Sequence, residues 1–130
     1  MNANVDTSDL DNFAKDLEVA HTKLGNETQK ILMKGGLEMR RRAGAHLAAG
    51  VRPLYLKHYE RSVTYDLDRH ADTQFELEFG SEIGKLQGRM GPGVEYGSSN
   101  TGPIPHILPA FAEELPIILR FAAREAKRAI

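Results

Sequence analysis

Cysteine is absent from the sequence, and so is any large excess of charge of one sign. Without cysteine the chain forms no disulfide and has no thiolate nucleophile, so a zinc site would need histidine and carboxylate ligands alone. Lys and Arg number 17 and Asp and Glu number 18, which gives a net charge of −1. This balance argues against a protein that binds nucleic acid through overall basicity.

Long apolar runs are also missing. No stretch approaches the roughly 20 apolar residues of a membrane span, and the polar, acidic segment Met1–Leu10 lacks the apolar core of a signal peptide. We therefore expect no membrane partner. The 41% hydrophobic and 27% charged residues exclude global disorder. With 130 residues and no internal repeat, we expect a single domain over residues 1–130.

The charges that are present follow a pattern along the chain. Residues 1–29 contain six acidic and two basic residues, whereas residues 30–61 contain two acidic and eight basic residues. Residues 62–130 are again acidic, with ten acidic and seven basic residues. A basic middle between acidic ends indicates contacts between segments or between subunits.

Residues 9–49 have the apolar periodicity of a helix. The stripe recurs at steps of three and four residues and consists of Leu10, Phe13, Leu17, Ala20, Leu24, Thr28 and Ile31. Gly25 and the pair Gly35–Gly36 interrupt this region, and each glycine costs about 1 kcal/mol relative to Ala inside a helix. We therefore expect either one bent helix or two helices with a break at one of these sites. Gly50 and Pro53 end the helical region.

Two strands and a second helix follow. Residues 62–67 and 73–80 read as an antiparallel hairpin with one wet face, joined by a loop over 68–72. Residues 80–109, rich in glycine and proline, predict a long loop with at most a short element at Val94–Tyr96. The pattern over 107–130 predicts a C-terminal helix with a kink or restart at Pro116. The predicted fold class is α+β.

No motif in the sequence predicts catalysis or a cofactor. The glycines of residues 88–97 match neither a dinucleotide-binding nor a phosphate-binding loop, and Ser98 and Ser99 lack a nucleophile-elbow context. We therefore expect no enzyme and no catalytic residue. Four further residues are spaced along the chain so that they would permit a metal site. They are His58, Asp66, Asp68 and His70. A solvated hairpin turn, in which Asp is common, is the favoured interpretation.

The strongest basic cluster consists of Lys34, Arg40, Arg41 and Arg42. On a helix the three successive arginines spread over about 200° of the circumference, so they cannot all face one partner. A solvated helix surface is the favoured interpretation. The alternative is electrostatic contact with DNA or with an acidic neighbouring subunit. No aromatic residues are interleaved, so stacking on single strands is not expected.

Two residues of the loop 80–109, Gly97 and Glu95, have roles that follow from their chemistry. Gly97 permits a positive φ, so the chain can turn sharply after Tyr96. Glu95 can accept backbone N–H bonds or pair with a basic residue across an interface. A rigid turn without partner contact is the alternative. The candidate interface residues are Glu95, Tyr96, Gly97, Ser98, Pro105, His106 and Pro109.

Two short motifs in this part of the chain resemble those of a known family. Residues 90–98, Met-Gly-Pro-Gly-Val-Glu-Tyr-Gly-Ser, are similar to the Tyr-Ala-Pro-x-Val-Glu-Phe-Gly-Thr stretch of the small neck and tail-completion proteins of long-tailed bacteriophages. Residues 105–110, Pro-His-Ile-Leu-Pro-Ala, are similar to that family's Pro-Phe-Leu-x-Pro-Ala. The order of elements agrees too. Met90, Gly91 and His106 depart from the family pattern.

The resemblance implies a virion structural protein at the head–tail junction, made in the host cytoplasm. It would form a cyclic ring of about six or twelve copies that joins the DNA-filled head to the tail. Its partners would be adjacent connector proteins, tail terminator or tail tube proteins, and genomic DNA in the channel. The loop 80–109 would be the docking segment. Two alternatives remain open, a tail terminator capping the tail tube and a small DNA-contacting regulatory protein.

Overall fold

The computed structural model describes residues 7–50, 58–98 and 102–129. A single helix, α1 (Thr7–Ala49), takes up 43 residues and is followed by a turn of 3-10 helix at Glu60–Ser62. Strands β1 (Val63–Ala71) and β2 (Gln74–Ser81) come next, and a second 3-10 turn, Gly88–Met90, leads into the short helix α2 (Gly91–Tyr96). Helix α3 (Ile107–Ala129) is the last element. The predicted α+β class is confirmed.

Helix α1 is continuous through all of its glycines, so of the two expected alternatives, one bent helix or two helices, the chain forms a single helix. The reason is that glycine lies where other elements approach the helix most closely. A Cβ on Gly36 would lie 2.5 Å from ring atoms of Tyr65, and one on Gly35 would lie 2.5 Å from the Cδ1 atom of Ile118. Close packing therefore offsets the low helix propensity of glycine.

The hairpin has the predicted alternation, with one correction to its connection. Strands β1 and β2 pair antiparallel, with Tyr65 opposite Phe79. Along β2 the side chains of Phe75, Leu77 and Phe79 are half-buried, and the intervening polar ones are exposed. The expected loop 68–72 is too long, because β1 continues to Ala71 and the turn is short.

Arg69 explains why the polar end of β1 stays in the sheet. Its guanidinium group donates hydrogen bonds to Asn26 Oδ1 at 2.9 Å and to Gln29 Oε1 at 3.0 Å, both on α1. It also lies over the ring of Phe75, at 5.3 Å from the ring centroid. Tertiary contacts thus hold a segment whose own sequence reads as a loop.

The long glycine- and proline-rich segment is partly helical. The short element predicted at Val94–Tyr96 is the second half of α2. Helix α3 runs through Pro116 without a restart and lies beside α1. Its predicted last residue, Ile130, lies outside the described residues. Within the described chain no helix is long and apolar enough to cross a bilayer.

The apolar core lies where the C-terminal half of α1 meets the start of the hairpin, α2 and the start of α3. Its buried members are Ala43, Leu47, Tyr59, Val63, Val94, Ile104 and Ala110. The N-terminal part of α1 contributes nothing to this cluster. One end of the molecule is therefore tightly packed, and the motif residues 90–98 and 105–110 belong to that end.

Candidate functional site

Glu95 caps the start of α3 from the interior. The carboxylate is buried, and its Oε2 atom accepts hydrogen bonds from the backbone N–H groups of His106 at 2.7 Å and Ile107 at 3.0 Å. Its Oε1 atom accepts a third bond from the N–H of Leu108 at 2.9 Å. The first N–H groups of a helix have no partner within the helix, and a negative charge there also interacts favourably with the helix dipole. Of the two roles predicted for Glu95, the structure places it in the first.

His106 is fully buried behind this cap, and its contacts define its protonation. Its Nδ1 atom lies 2.8 Å from the carbonyl oxygen of Ile104 and 2.9 Å from Glu95 Oε2, and both are acceptors, so Nδ1 carries the proton. The neutral ring then accepts at Nε2 from the hydroxyl of Tyr59, 2.8 Å away. Tyr59 also meets the imidazole edge-on, with ring centroids 5.4 Å apart.

The ionisation of this cluster follows from burial and hydrogen bonding. Burial by itself would raise the pKa of Glu95, but the three backbone N–H bonds outweigh it, and the pKa lies below its ordinary value. Burial lowers the pKa of His106 and raises the pKa of the Tyr59 hydroxyl. Within the described chain every buried side-chain nitrogen and oxygen has a hydrogen-bond partner. The cluster is thus an ionised carboxylate beside a neutral histidine.

The remaining candidate interface residues lie at or near the surface of the same region. Tyr96 is 69% exposed, and Pro105 and Ser98 are exposed as well. Gly97 has the expected positive φ, at 88°, and turns the chain after Tyr96. Pro109 lies in the first turn of α3. Glu95 and His106 are therefore internal supports, and the candidate residues around them are the accessible ones.

Helix α3 has a second apolar face beside the one that packs on α1. Ala110, Glu114 and Ile118 are buried towards the body. Leu108 and Leu119 remain more than half exposed, and Phe111 is also exposed. The apolar stripe predicted for this helix is therefore only partly buried in the isolated chain. An exposed apolar face of this kind is typical of an interaction surface.

The three arginines separate as the helical geometry requires. Arg42 faces α3, where its Nε atom lies 2.9 Å from Glu114 Oε2 and its Nη1 atom lies 3.0 Å from Glu113 Oε2. Its neighbour Arg41 pairs with Glu38 on its own helix, and Arg40 is exposed. Lys34 is also exposed. Arg42 thus belongs to the fold, and three basic residues of the cluster face outwards.

The α1–α3 contact contains a further titratable pair. His46 hydrogen-bonds to the carboxylate of Glu113, which Arg42 also contacts. The His46 bond, followed by the Arg42 bond, lowers the pKa of Glu113. The same two carboxylates, Glu113 and Glu114, raise the pKa of Arg42, and the bond from Glu114 is the larger cause. These groups form one charged network between the helices.

The four residues with metal-compatible spacing do not converge. His70 lies 3.0 Å from Glu76 on the neighbouring strand, and Asp66 is opposite Glu78 in the ladder. The backbone N–H of His58 donates to Gln87 instead. Among residues 7–50, 58–98 and 102–129, no group of three or more His, Asp or Glu residues is arranged to hold a metal ion.

Two elements of the site were missed by sequence reasoning. Tyr59 lies in a segment assigned to no element, yet it is fully buried and contacts His106. Glu114 lies on the buried face of α3, for which the sequence predicted only an apolar stripe. Its ion pair with Arg42 explains why a carboxylate is buried there. A polar residue in phase with a buried helix face is the signal that could have found it.

Comparisons of the chain with protein-family models, with curated proteins and with solved structures each return no match.

Proposed function

We propose that this chain is a virion structural protein of the head–tail junction, a neck component that forms a ring joining the DNA-filled head to the tail. The observation that carries the proposal is the pair of motifs at residues 90–98 and 105–110, which resembles the neck and tail-completion proteins of long-tailed bacteriophages. No catalytic step is part of the proposed role.

The geometry supports treating the two motifs as one signature. Glu95 from the first motif holds the backbone of His106, Ile107 and Leu108 in the second. A backbone hydrogen bond also joins the two segments, since the N–H of Ile104 donates to the carbonyl of Val94 at 2.7 Å. A glutamate in the first motif is useful only if the second motif presents N–H groups to it. Their joint occurrence at this spacing therefore has a physical reason.

The exposed surfaces support a protein that functions as an assembly. The apolar face of α3 around Leu108, Phe111 and Leu119 is left uncovered beside the exposed Tyr96. In a ring of identical subunits such faces would be buried against the next copy or against a neighbouring connector, terminator or tube protein. The proposed location is the virion, after assembly in the host cytoplasm.

The copy number of the chain in purified particles tests the proposal. Quantitative mass spectrometry against the major capsid and tail proteins should give about six or twelve copies per virion, the numbers of a closed ring. Absence from the particle would overturn the structural role and leave an assembly factor or regulator. Gene order relative to the major tail protein then separates a neck protein from a tail terminator.

A substitution of the exposed residue Tyr96 tests whether the surface formed by Tyr96 and the apolar face of α3 contacts a partner. Tyr96→Ala should lower incorporation into particles, because the ring of Tyr96 is solvent-exposed and available for contact. Its free energy of unfolding should change by no more than about 0.5 kcal/mol. Met33→Ala, at an exposed position on α1 outside residues 80–109, is the control and should assemble normally.

A further inference from the structure

The first turns of α1 are an exposed amphipathic helix, which we call the arm (residues 8–19). Every residue of the arm is exposed, and the first half-buried residue after it is Ala20. Leu10, Phe13 and Leu17 are 57%, 61% and 55% exposed. At the spacing of three and four residues they form one stripe, which extends about 10 Å along the helix axis from Leu10 to Leu17.

Carboxylates border the apolar stripe of the arm on both sides. At 100° per residue, Asp9 and Asp16 fall along one edge of the stripe, whereas Glu18 and Asp11 lie about 80° and 100° beyond Leu10 on the other side. The single basic residue, Lys15, falls on the opposite side of the helix. The complementary surface would have apolar residues at its centre and basic residues at its edges.

The same chain contains such a surface, which we call the basic groove. It lies between α1 and the 3-10 turn at Glu60–Ser62, with a volume of about 720 Å³, and its lining includes Leu37, Arg40, Arg41, Gly44, Ala45 and Arg61. Leu37 is 54% exposed and Ala45 is a small exposed residue, whereas the carboxylate of Glu60 covers Gly44. Arg40, Arg41 and Arg61 face Glu60 in this lining, and Glu38 pairs with Arg41, so three guanidinium groups against two carboxylates leave the groove with a net positive charge.

The arm of a chain cannot occupy the groove of that chain. Phe13 and Leu37 lie on the same continuous helix, 24 residues apart, which corresponds to about 36 Å. A second copy has no such restriction. We propose that the arm of one copy docks in the basic groove of another, with Phe13 or Leu17 against Leu37 and the flanking carboxylates against Arg40, Arg41 and Arg61.

This contact joins two different surfaces, so it is head-to-tail and can close into a ring. The inference deepens the proposed function, on which it rests for the ring, by naming the contact between subunits. The wet face of the hairpin, with Asp66 and Asp68, is also acidic but offers no exposed large apolar side chain. DNA would engage the arginines and leave Leu37 uncovered. The arm satisfies both features of the groove.

Crosslinking tests the contact directly, because the chain has no cysteine of its own. Phe13→Cys protein is mixed with Leu37→Cys protein and treated with a short bis-maleimide. Both positions are exposed, so each variant should keep its fold. We expect a heterodimer yield about tenfold above that of Phe13→Cys mixed with Thr73→Cys, an exposed position in the hairpin turn. Equal yields from the two mixtures would overturn the proposal.

Charge reversal gives a second, independent test by sedimentation velocity of the full chain. Asp16→Lys and Arg41→Glu should each weaken self-association at least about tenfold, and the double variant should recover it, because the swapped charges attract again. Asp68→Lys makes the same charge change on the hairpin and should leave association unchanged. A loss with Asp68→Lys would identify the hairpin as the occupant. A loss of duplex DNA binding alone with Arg41→Glu would identify DNA.

The outcomes separate this contact from the proposed function. Particles that contain the chain at a ring copy number, and still assemble with Asp16→Lys, would overturn the docking and leave the neck role standing. Specific Phe13–Leu37 crosslinking of a chain that is absent from particles would do the reverse.

Discussion

At the residue scale, the charge of Glu95 is what joins the two halves of the motif. Three backbone N–H groups at the start of α3 point at one buried carboxylate, and the neighbouring histidine stays neutral. An anion that accepts several N–H bonds is held much more firmly than a neutral acceptor would be. The position of α3 therefore depends on a residue eleven positions before His106.

Removing this charge should destabilise the fold. Glu95→Gln leaves one carbonyl acceptor and turns an NH2 group towards N–H donors, so we expect the free energy of unfolding to fall by about 1–3 kcal/mol. Urea denaturation measures the change. The exposed Glu78→Gln provides the matched control and should stay within about 0.5 kcal/mol of the unsubstituted protein. An equal effect of both substitutions would contradict the capping role.

Because His106 is buried, we predict that acid lowers the free energy of unfolding. Burial keeps the pKa of His106 below its ordinary value of 6.5, so the unfolded chain binds the proton more readily than the folded one. The free energy of unfolding should therefore begin to fall as the pH drops below 6.5. The lowered pKa values of Glu95 and Glu113 predict a further loss below 4.5.

Chemical denaturation across this pH range measures the profile. His106→Asn keeps a donor beside the Ile104 carbonyl but cannot titrate, so it should flatten the upper part of the profile. The neighbouring ionisable groups Tyr59, Glu95 and His46 stay in place. His70→Gln, at an exposed position on the hairpin, should leave the profile as it is. A profile unaffected by His106→Asn would show that His106 does not cause the acid sensitivity.

At the element scale, α1 is shaped by what packs on it. Glycines at 25, 35 and 36 are unfavourable for a helix taken alone, yet they let the hairpin and α3 approach its backbone. The contact between α1 and α3 is also electrostatic, through Arg42 and two glutamates. The glycines have low helix propensity but permit close packing on α1, and the ion pairs of Arg42 add to the contact with α3.

Glycine substitutions should therefore have opposite signs in different helices. Gly25→Ala would place a Cβ against the carbonyl oxygen of Asp72, a backbone atom that cannot move alone, and should cost about 1–3 kcal/mol. Gly93→Ala in α2 meets nothing within 4 Å and should stabilise by about 0.5–1 kcal/mol. Thermal denaturation distinguishes the two. A stabilising Gly25→Ala would contradict the close approach of the hairpin.

The adjacent arginines provide a matched test of the α1–α3 contact. Arg42→Met removes the partner of the buried Glu114 and should lower the free energy of unfolding by about 2–3 kcal/mol. Arg41→Met removes only an exposed pair on one helix and should change it by less than about 0.5 kcal/mol. Met retains most of the aliphatic stem, so denaturant titration of the two variants compares the charge effects. Similar losses would place both arginines in the contact.

At the scale of the whole molecule, apolar surface and charge are unevenly distributed. One end contains the packed core, whereas the arm exposes Leu10, Phe13 and Leu17 between carboxylates. The basic groove lies on the same helix, too far along it to be reached by its own arm. The acidic arm and the basic groove thus lie on separate parts of the molecule, which suits contact between copies.

Self-association through these surfaces should weaken with salt. The charged edges are exposed, and the screening length falls from about 10 Å at 0.1 M salt to about 3 Å at 1 M. Sedimentation velocity over a sodium chloride series should show dissociation as salt increases, while the circular dichroism of the folded chain stays constant. Association that strengthens with salt would indicate an apolar contact in which the carboxylates of the arm have no part.

Local sequence patterns are sufficient to predict most of the elements. Apolar residues at helical spacing predicted α1 and α3, and strict alternation through Phe75, Leu77 and Phe79 predicted β2 with one wet face. The turn at Gly97 was also predictable. These features depend on periodicity and on the backbone freedom of single residues, which are local properties of the chain.

Packing between distant segments selected the residues that face inwards. It kept α1 unbroken across its glycines, directed Arg42 to α3 while leaving Arg41 outside, and buried Glu95 and His106 as supports. It also left the stripes of the arm and of α3 exposed, although their patterns resemble those of buried faces. Periodicity identifies an apolar face, but the partner that covers the face depends on how distant segments pack, and sequence spacing contains no record of that.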